Sequence, residues 1–279
     1  MKPEAIIIPV PYEATASGTE GTVKGPKAII EMLTHQLEDY DRFTKEVTIE
    51  KINISPVEEL QVKDLQPEEM IESVKKEVDK IKDSEKFPII LGGEHSVSIG
   101  AIKSLKEKYE DLTVLQIDAH LDLRDNDSDY NSENPSKFAH CCVMRRVREL
   151  GCSTVHVGIR TMYSKEIEYI KKEKITEIFE CPIKVKPEDI IKAIKSQNVY
   201  ITIDVDGIDP KHMPGTGNPL QGGLDWYFTI ELLKKTFENK NVVGTDIVEV
   251  SPIPNNPLTE IGAAQLLYHM IGFKYKNTL

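Results

Sequence analysis

Residues 112–122 read Leu112-Thr113-Val114-Leu115-Gln116-Ile117-Asp118-Ala119-His120-Leu121-Asp122. A short, largely apolar and β-branched run ends abruptly in two carboxylates and an imidazole. Bounded runs of this kind mark strands buried on both faces, as in a parallel sheet covered by helices. The acids at the end are the anomaly, because burying unpaired carboxylates is costly. A bound divalent cation is the usual compensation. The chain does the same thing again at residues 199–206, where Val199-Tyr200-Ile201-Thr202-Ile203 runs into Asp204-Val205-Asp206.

Working outward from these two segments, strand-like and helix-like runs alternate along the whole chain. Strands are expected at Ala5 to Val10, Val47 to Ile54, Phe87 to Leu91, Thr154 to Ile159, Ile175 to Phe179 and Val242 to Val250. The helices between them carry start signals. Pro26 and Pro67 sit in first turns, where a missing N–H costs nothing. Glu68 and Glu69 favour the positive end of the helix dipole. Ser96, Ser164 and Thr229 are candidate caps. Such β-then-α alternation predicts a single α/β domain over residues 1–279, with a mainly parallel sheet of about eight strands and helices on both faces. Ligands of open parallel sheets bind at the carboxyl ends of strands, and the acidic and histidine clusters all fall there.

The 279 residues carry a formal net charge of -11. That balance argues against a nucleic-acid partner, which needs a basic patch, and is compatible with a small cationic substrate. Cys141, Cys142, Cys152 and Cys181 form no C-x-x-C pair and read as reduced thiols of a cytoplasmic protein. The start of the chain lacks the shape of a signal peptide. No apolar stretch reaches the roughly 18 residues that span a bilayer, so no membrane partner is expected.

Asp204 and Asp206 are two apart, and extended backbone would point both the same way. Asp118, His120 and Asp122 share that spacing, and His95 adds an imidazole after another strand. Four carboxylates and two imidazoles aimed at one region suit two divalent ions, with carboxylates bridging them. Oxygen ligands with imidazole favour Mn²⁺ or a similar octahedral ion; structural zinc would want thiolates at a suitable spacing. Alone, a D-x-D is most often a solvated turn, and a His after Gly-Gly is more often structural. It is the pairing of two strand-end clusters that favours metal.

The strings LGGEHS (91–96), IDAHLDLRD (117–125), YITIDVDGIDP (200–210), PGTGNPLQGGL (214–224) and DIVEVSP (246–252) resemble, in order, the ureohydrolases of the arginase/agmatinase family. The resemblance implies an arginase-like three-layer fold and two Mn²⁺ per chain. His95, Asp118, Asp122 and Asp204 would hold one ion. His120, Asp118, Asp204 and Asp206 would hold the other. A hydroxide bridging the ions would attack a guanidinium carbon and release urea and an amine. Glu249 resembles the family's guanidinium-pairing glutamate and His140 its proton-shuttling histidine; the alternatives are a strand-end surface acid and a solvent-facing helix-start histidine. Cys141 stands where many members have glycine, and the loop from Asp122 to His140 is longer than in arginases. The resemblance also implies a homo-oligomer, a trimer or hexamer.

The substrate tail is a separate question. The 124–137 loop holds Asp125, Asp127, Asp129 and Glu133 against Arg124 and Lys137. Its net acidity favours a cationic tail, and hence hydrolysis of agmatine to putrescine and urea, a step of polyamine biosynthesis. Arginase and guanidinobutyrase are the near alternatives. A zinc deacetylase-like hydrolase and a non-catalytic regulatory homologue are the remote ones.

Overall fold

The apolar runs assemble into one eight-stranded, wholly parallel sheet. The structure, a computed structural model, describes residues 2–276. The strands are β1 (Glu4–Val10), β2 (Asn53–Pro56), β3 (Phe87–Gly92), β4 (Leu112–Ile117), β5 (Ser153–Ile159), β6 (Ile178–Glu180), β7 (Asn198–Asp204) and β8 (Asn241–Val248). Their spatial order is β2-β1-β3-β8-β7-β4-β5-β6. The two edges, β2 and β6, are the shortest strands of the sheet, four and three residues long, which limits exposed backbone for stray pairing.

The principal helices are α1 (Gly25–His35), α2 (Pro67–Asp79), α3 (Ser98–Lys108), α4 (Val143–Glu149), α5 (Ser164–Glu173), α6 (Pro187–Ala193), α7 (Trp226–Asn239) and α8 (Leu258–Tyr275). Strand alternation sorts them into two layers. Ile7, Ile89, Ile117, Ile201 and Ile247 pack with residues of α1, α6, α7 and α8. Ile8, Ile90, Val114, Tyr200 and Val248 pack with α2, α3 and α4 on the opposite face. No helix among the described residues is long and apolar enough to cross a membrane.

Register places the strand ends. Leu91 pairs with Ile247, Ile247 with Ile203, and Ile203 with Ile117. The four central strands therefore finish at one level, and the residues that follow them emerge side by side.

Several local expectations are corrected. Only Asn53 and Ile54 of the Val47 to Ile54 run join the eight-stranded sheet, in the strand Asn53–Pro56; Thr48–Lys51 forms one helical turn, closed by Ile52 N–H on Thr48 C=O at 3.0 Å. Thr48 is buried beside Gly272 of α8, so packing overrides the β-branched preference there. Asp225, not Thr229, caps α7 by accepting Tyr227 N–H at 2.9 Å. Ser164 is the first residue of α5 rather than its cap, and Glu166 closes on Tyr163 N–H at 2.8 Å. The Ser96 hydroxyl donates to the Glu94 carboxylate instead of capping α3.

Candidate metal centre

Gly92 and Gly93 carry the chain from β3 to His95. A Cβ on Gly93 would stand 2.1 Å from the Tyr12 carbonyl oxygen, so only glycine lets the two backbones approach. His95 is buried at the meeting point of β3, β4 and β7. Its Nδ1 lies 2.9 Å from Asp122 Oδ2, 3.2 Å from Asp118 Oδ2 and 3.7 Å from Asp204 Oδ2. Yet this buried nitrogen makes no directed hydrogen bond among the described residues. A lone pair facing three carboxylates is the arrangement a shared cation would resolve. The other ring nitrogen, Nε2, meets Thr202 Oγ1 at 2.9 Å, and Thr202 donates to Asp246 Oδ1 at 2.6 Å. Partners of this kind fix the tautomer of a ligating imidazole.

On the other side, His120 Nδ1 lies 3.1 Å from Asp206 Oδ2 and 3.5 Å from Asp118 Oδ1. Two groups thus have ligand atoms close enough to share an ion: His95, Asp118 and Asp204, and Asp118, His120 and Asp206. Asp118 belongs to both. Asp122 reaches the first group through His95, and Asp204 sits in that group alone.

The convergence does not come from strand alternation. Asp204 ends β7, but Asp206 lies in a 3₁₀ turn, Val205–Gly207, where its N–H donates to Asp204 Oδ1 at 2.9 Å. A Cβ on Gly207 would stand 2.5 Å from the Asp118 nitrogen, so glycine again permits close approach. Asp122 and Glu249 have φ of 52° and 64°. Left-handed backbone at non-glycine residues costs about 1–3 kcal/mol and clusters at functional sites.

Electrostatics mark the cluster. Burial, then the charges of Asp206, Asp118 and Glu249, hold the Asp204 carboxyl well above its ordinary value. Burial and the Asp118 charge raise Asp122 to about 7. Burial and Glu94 raise Glu249 to about 8. Such mutual repulsion is relieved by positive charge in their midst, and the all-oxygen-and-imidazole donor set fits a hard divalent ion.

Glu249 Oε1 accepts His95 N–H at 2.8 Å, and Glu249 N–H donates to Gly93 C=O at 2.8 Å. Its carboxylate reaches a cavity of about 300 Å³ that is also lined by His120, Asp122, Asp204, Asp206 and His140. His140 N–H donates to Thr15 Oγ1 at 3.0 Å, and Thr15 Oγ1 donates to buried Glu94 at 2.6 Å. Its Nε2 stands 3.1 Å from Ser17 Oγ. Burial, with His120 and His95 nearby, lowers its pKa to about 4.

Sequence reasoning misses the loop of residues 16–19, Asn218 and Glu166, all of which line this cavity. Thr15-Ala16-Ser17-Gly18-Thr19 follows closely on β1 and so stands at the same sheet edge, which is the one signal the sequence offers for it. Asn218 Nδ2 meets His120 Nε2 at 3.1 Å. Arg160 is a clamp on backbone carbonyls, including those of Gly158, Gly207 and Leu220. Asp209 holds a turn through Lys211, Gly222 and Gly223 N–H groups.

The acidic loop does not behave as expected. Asp127 is buried and accepts Ser136 N–H, Asp129 pairs with Arg124, Asp125 pairs with Arg146, and Glu133 is exposed. Asp125, Asp127 and Asp129 brace the loop, and none of the four acids lines this cavity, although Asp125 and Asp129 line a neighbouring one.

A parallel sheet of this order, with acids and histidines at four flush strand ends, defines a metallohydrolase of the ureohydrolase class, and the arginase family model matches residues 3–272. The chain belongs to that family. An N(1)-aminopropylagmatine ureohydrolase of Synechocystis sp. is 34% identical, with 96% of this chain and 88% of that protein covered. An agmatinase of Pyrococcus horikoshii is 32% identical, over 96% of this chain and 90% of its own. The crystal structure of an agmatine ureohydrolase of Thermoplasma volcanium superposes with TM-score 0.85 at 29% identity, covering 99% of this chain and 92% of that one.

Proposed function

We propose that this chain hydrolyses a linear guanidino compound with a cationic tail, agmatine being the simplest, to urea and an amine, with Mn²⁺ as its metal. The observation that carries the reading is the pair of ligand groups sharing Asp118, with His95 Nδ1 orphaned among carboxylates. His95, Asp118, Asp122 and Asp204 would hold one ion and His120, Asp118, Asp204 and Asp206 the other, a pair that supplies charge compensation and an acidified water.

The chain's own groups do the rest. Glu249 is fixed through its Oε1 by the His95 N–H, and its carboxylate suits the forked donors of a guanidinium. That pairing orients the guanidinium carbon toward the ligand cluster. His140 is neutral near pH 7 and sits where the cavity meets the loop of residues 16–19. There it is placed to accept the proton released as water adds to the guanidinium carbon and to pass it to the departing amine. Glu94 acts through Thr15 to hold His140 in place.

An N1-aminopropyl substrate is a second reading. The relative at 34% identity favours it, as does a further cavity of about 240 Å³ that shares Arg124 and Tyr163 with the first and offers room for a longer tail. The test compares kcat/KM for agmatine, N1-aminopropylagmatine, arginine and guanidinobutyrate with Mn²⁺ added. The amine-tailed pair should lead. A clear preference for arginine or guanidinobutyrate would sink the substrate assignment.

A further inference from the structure

The cationic-tail reading needs an anion inside the cavity, and the 124–137 loop does not supply one. Glu166 does. It lies in the first turn of α5, just after β5, and lines the same cavity as Glu249 while being almost wholly buried. Its Oε1 accepts Leu123 N–H at 2.8 Å and its Oε2 accepts Tyr163 N–H at 2.8 Å. Two backbone donors aim the carboxylate but bring no full charge to it. Among the described residues it forms no ion pair. The cation nearest to hand, Arg124, is engaged by Asp129 and stacked over the Tyr163 ring at 4.3 Å.

Burying a carboxylate without a counter-charge is expensive. A helix-capping role alone would be met by a neutral glutamine or by an exposed glutamate, as at Glu69 of α2, whose Oε2 accepts Gln66 N–H at 3.0 Å from an exposed position. Placement also matters. Glu249 follows β8 and Glu166 follows β5, three strand steps apart in the order β8-β7-β4-β5. That is roughly 14 Å, less the inward reach of two glutamate side chains. Asp118 and Asp204, at the heart of the ligand cluster, follow or end the two strands between them.

We infer that Glu166 is the subsite for the distal ammonium of the substrate, so that the two glutamates grip opposite ends of one linear guanidino-amine. The inference rests on the ureohydrolase reading above. It makes Glu166 a determinant of specificity rather than of the hydrolytic step.

Butylguanidine, which keeps the guanidine and butyl chain of agmatine but has no terminal charge, separates the two ideas. Wild-type enzyme should favour agmatine over butylguanidine. Glu166→Gln should lower kcat/KM for agmatine roughly 10- to 100-fold, the scale of a lost charge-assisted hydrogen bond, mainly through KM. Butylguanidine turnover should fall far less than agmatine turnover. Equal losses on both substrates would reduce Glu166 to a structural cap and overturn the subsite. So would a wild-type enzyme indifferent to the terminal ammonium, a result that needs no variant to fold. An enzyme releasing urea from neither compound would overturn the cationic-tail reading on which the subsite rests, an outcome distinct from both of these.

Discussion

At the residue scale the site is a set of side chains whose charges cannot coexist without help. His140 is the exception, kept neutral by burial rather than paired. Its pKa falls from an ordinary 6.5 to about 4 in the fold. Between those values the unfolded chain binds a proton that the folded chain refuses. Folding stability contributed here is therefore complete above about pH 6.5 and is lost as pH falls toward 4. Replacing His140 with Asn should flatten the fall of Tm between about pH 7 and pH 5 relative to wild type. The same variant should slow urea release ~100-fold or more, the usual scale of a lost proton-transfer group. An unchanged Tm slope and unchanged turnover would remove His140 from the mechanism. His140 is legible in the sequence only through resemblance. The Thr15 and Glu94 contacts that hold it join segments 79 and more residues apart, and no local pattern announces such pairs.

At the element scale the four flush strand ends do the positioning. The strands themselves are legible, since a run such as Ala5-Ile6-Ile7-Ile8 or Leu112 to Ile117 has few other uses in a covered sheet. What the runs do not reveal is how the acids converge. Asp206 arrives by a 3₁₀ turn and Asp122 by left-handed backbone, and strand alternation announces neither. Nor do they reveal that Thr48–Lys51 turns helical against α8. The support under His95 is also an element-level feature, because Thr202 lies on β7 and Asp246 on β8. Asp246→Asn or Thr202→Val should weaken divalent-ion affinity ~10- to 100-fold when apo-protein is titrated calorimetrically. Thr202→Ser should restore it. Identical affinity in the wild type and all three variants would make the His95–Thr202–Asp246 chain a packing feature only.

For the whole molecule, three layers serve to present one edge of a parallel sheet, and that edge holds both the ligand cluster and the cavity. The net charge of -11 agrees with a cationic substrate, but the acidic 124–137 loop is occupied with its own ion pairs and hydrogen bonds. The discriminating acid is Glu166, which is hard to single out in the sequence because a Glu in the first turn of a helix is ordinary there. The central claim is that Asp118 is shared by two ions. Metal content per chain, measured after Mn²⁺ reconstitution and removal of free metal, tests it most directly. Sharing predicts two ions per chain for the wild type, and loss of both ions together with urea release for Asp118→Ala. One ion per wild-type chain, or an Asp118→Ala protein that keeps both ions and full turnover, would contradict it.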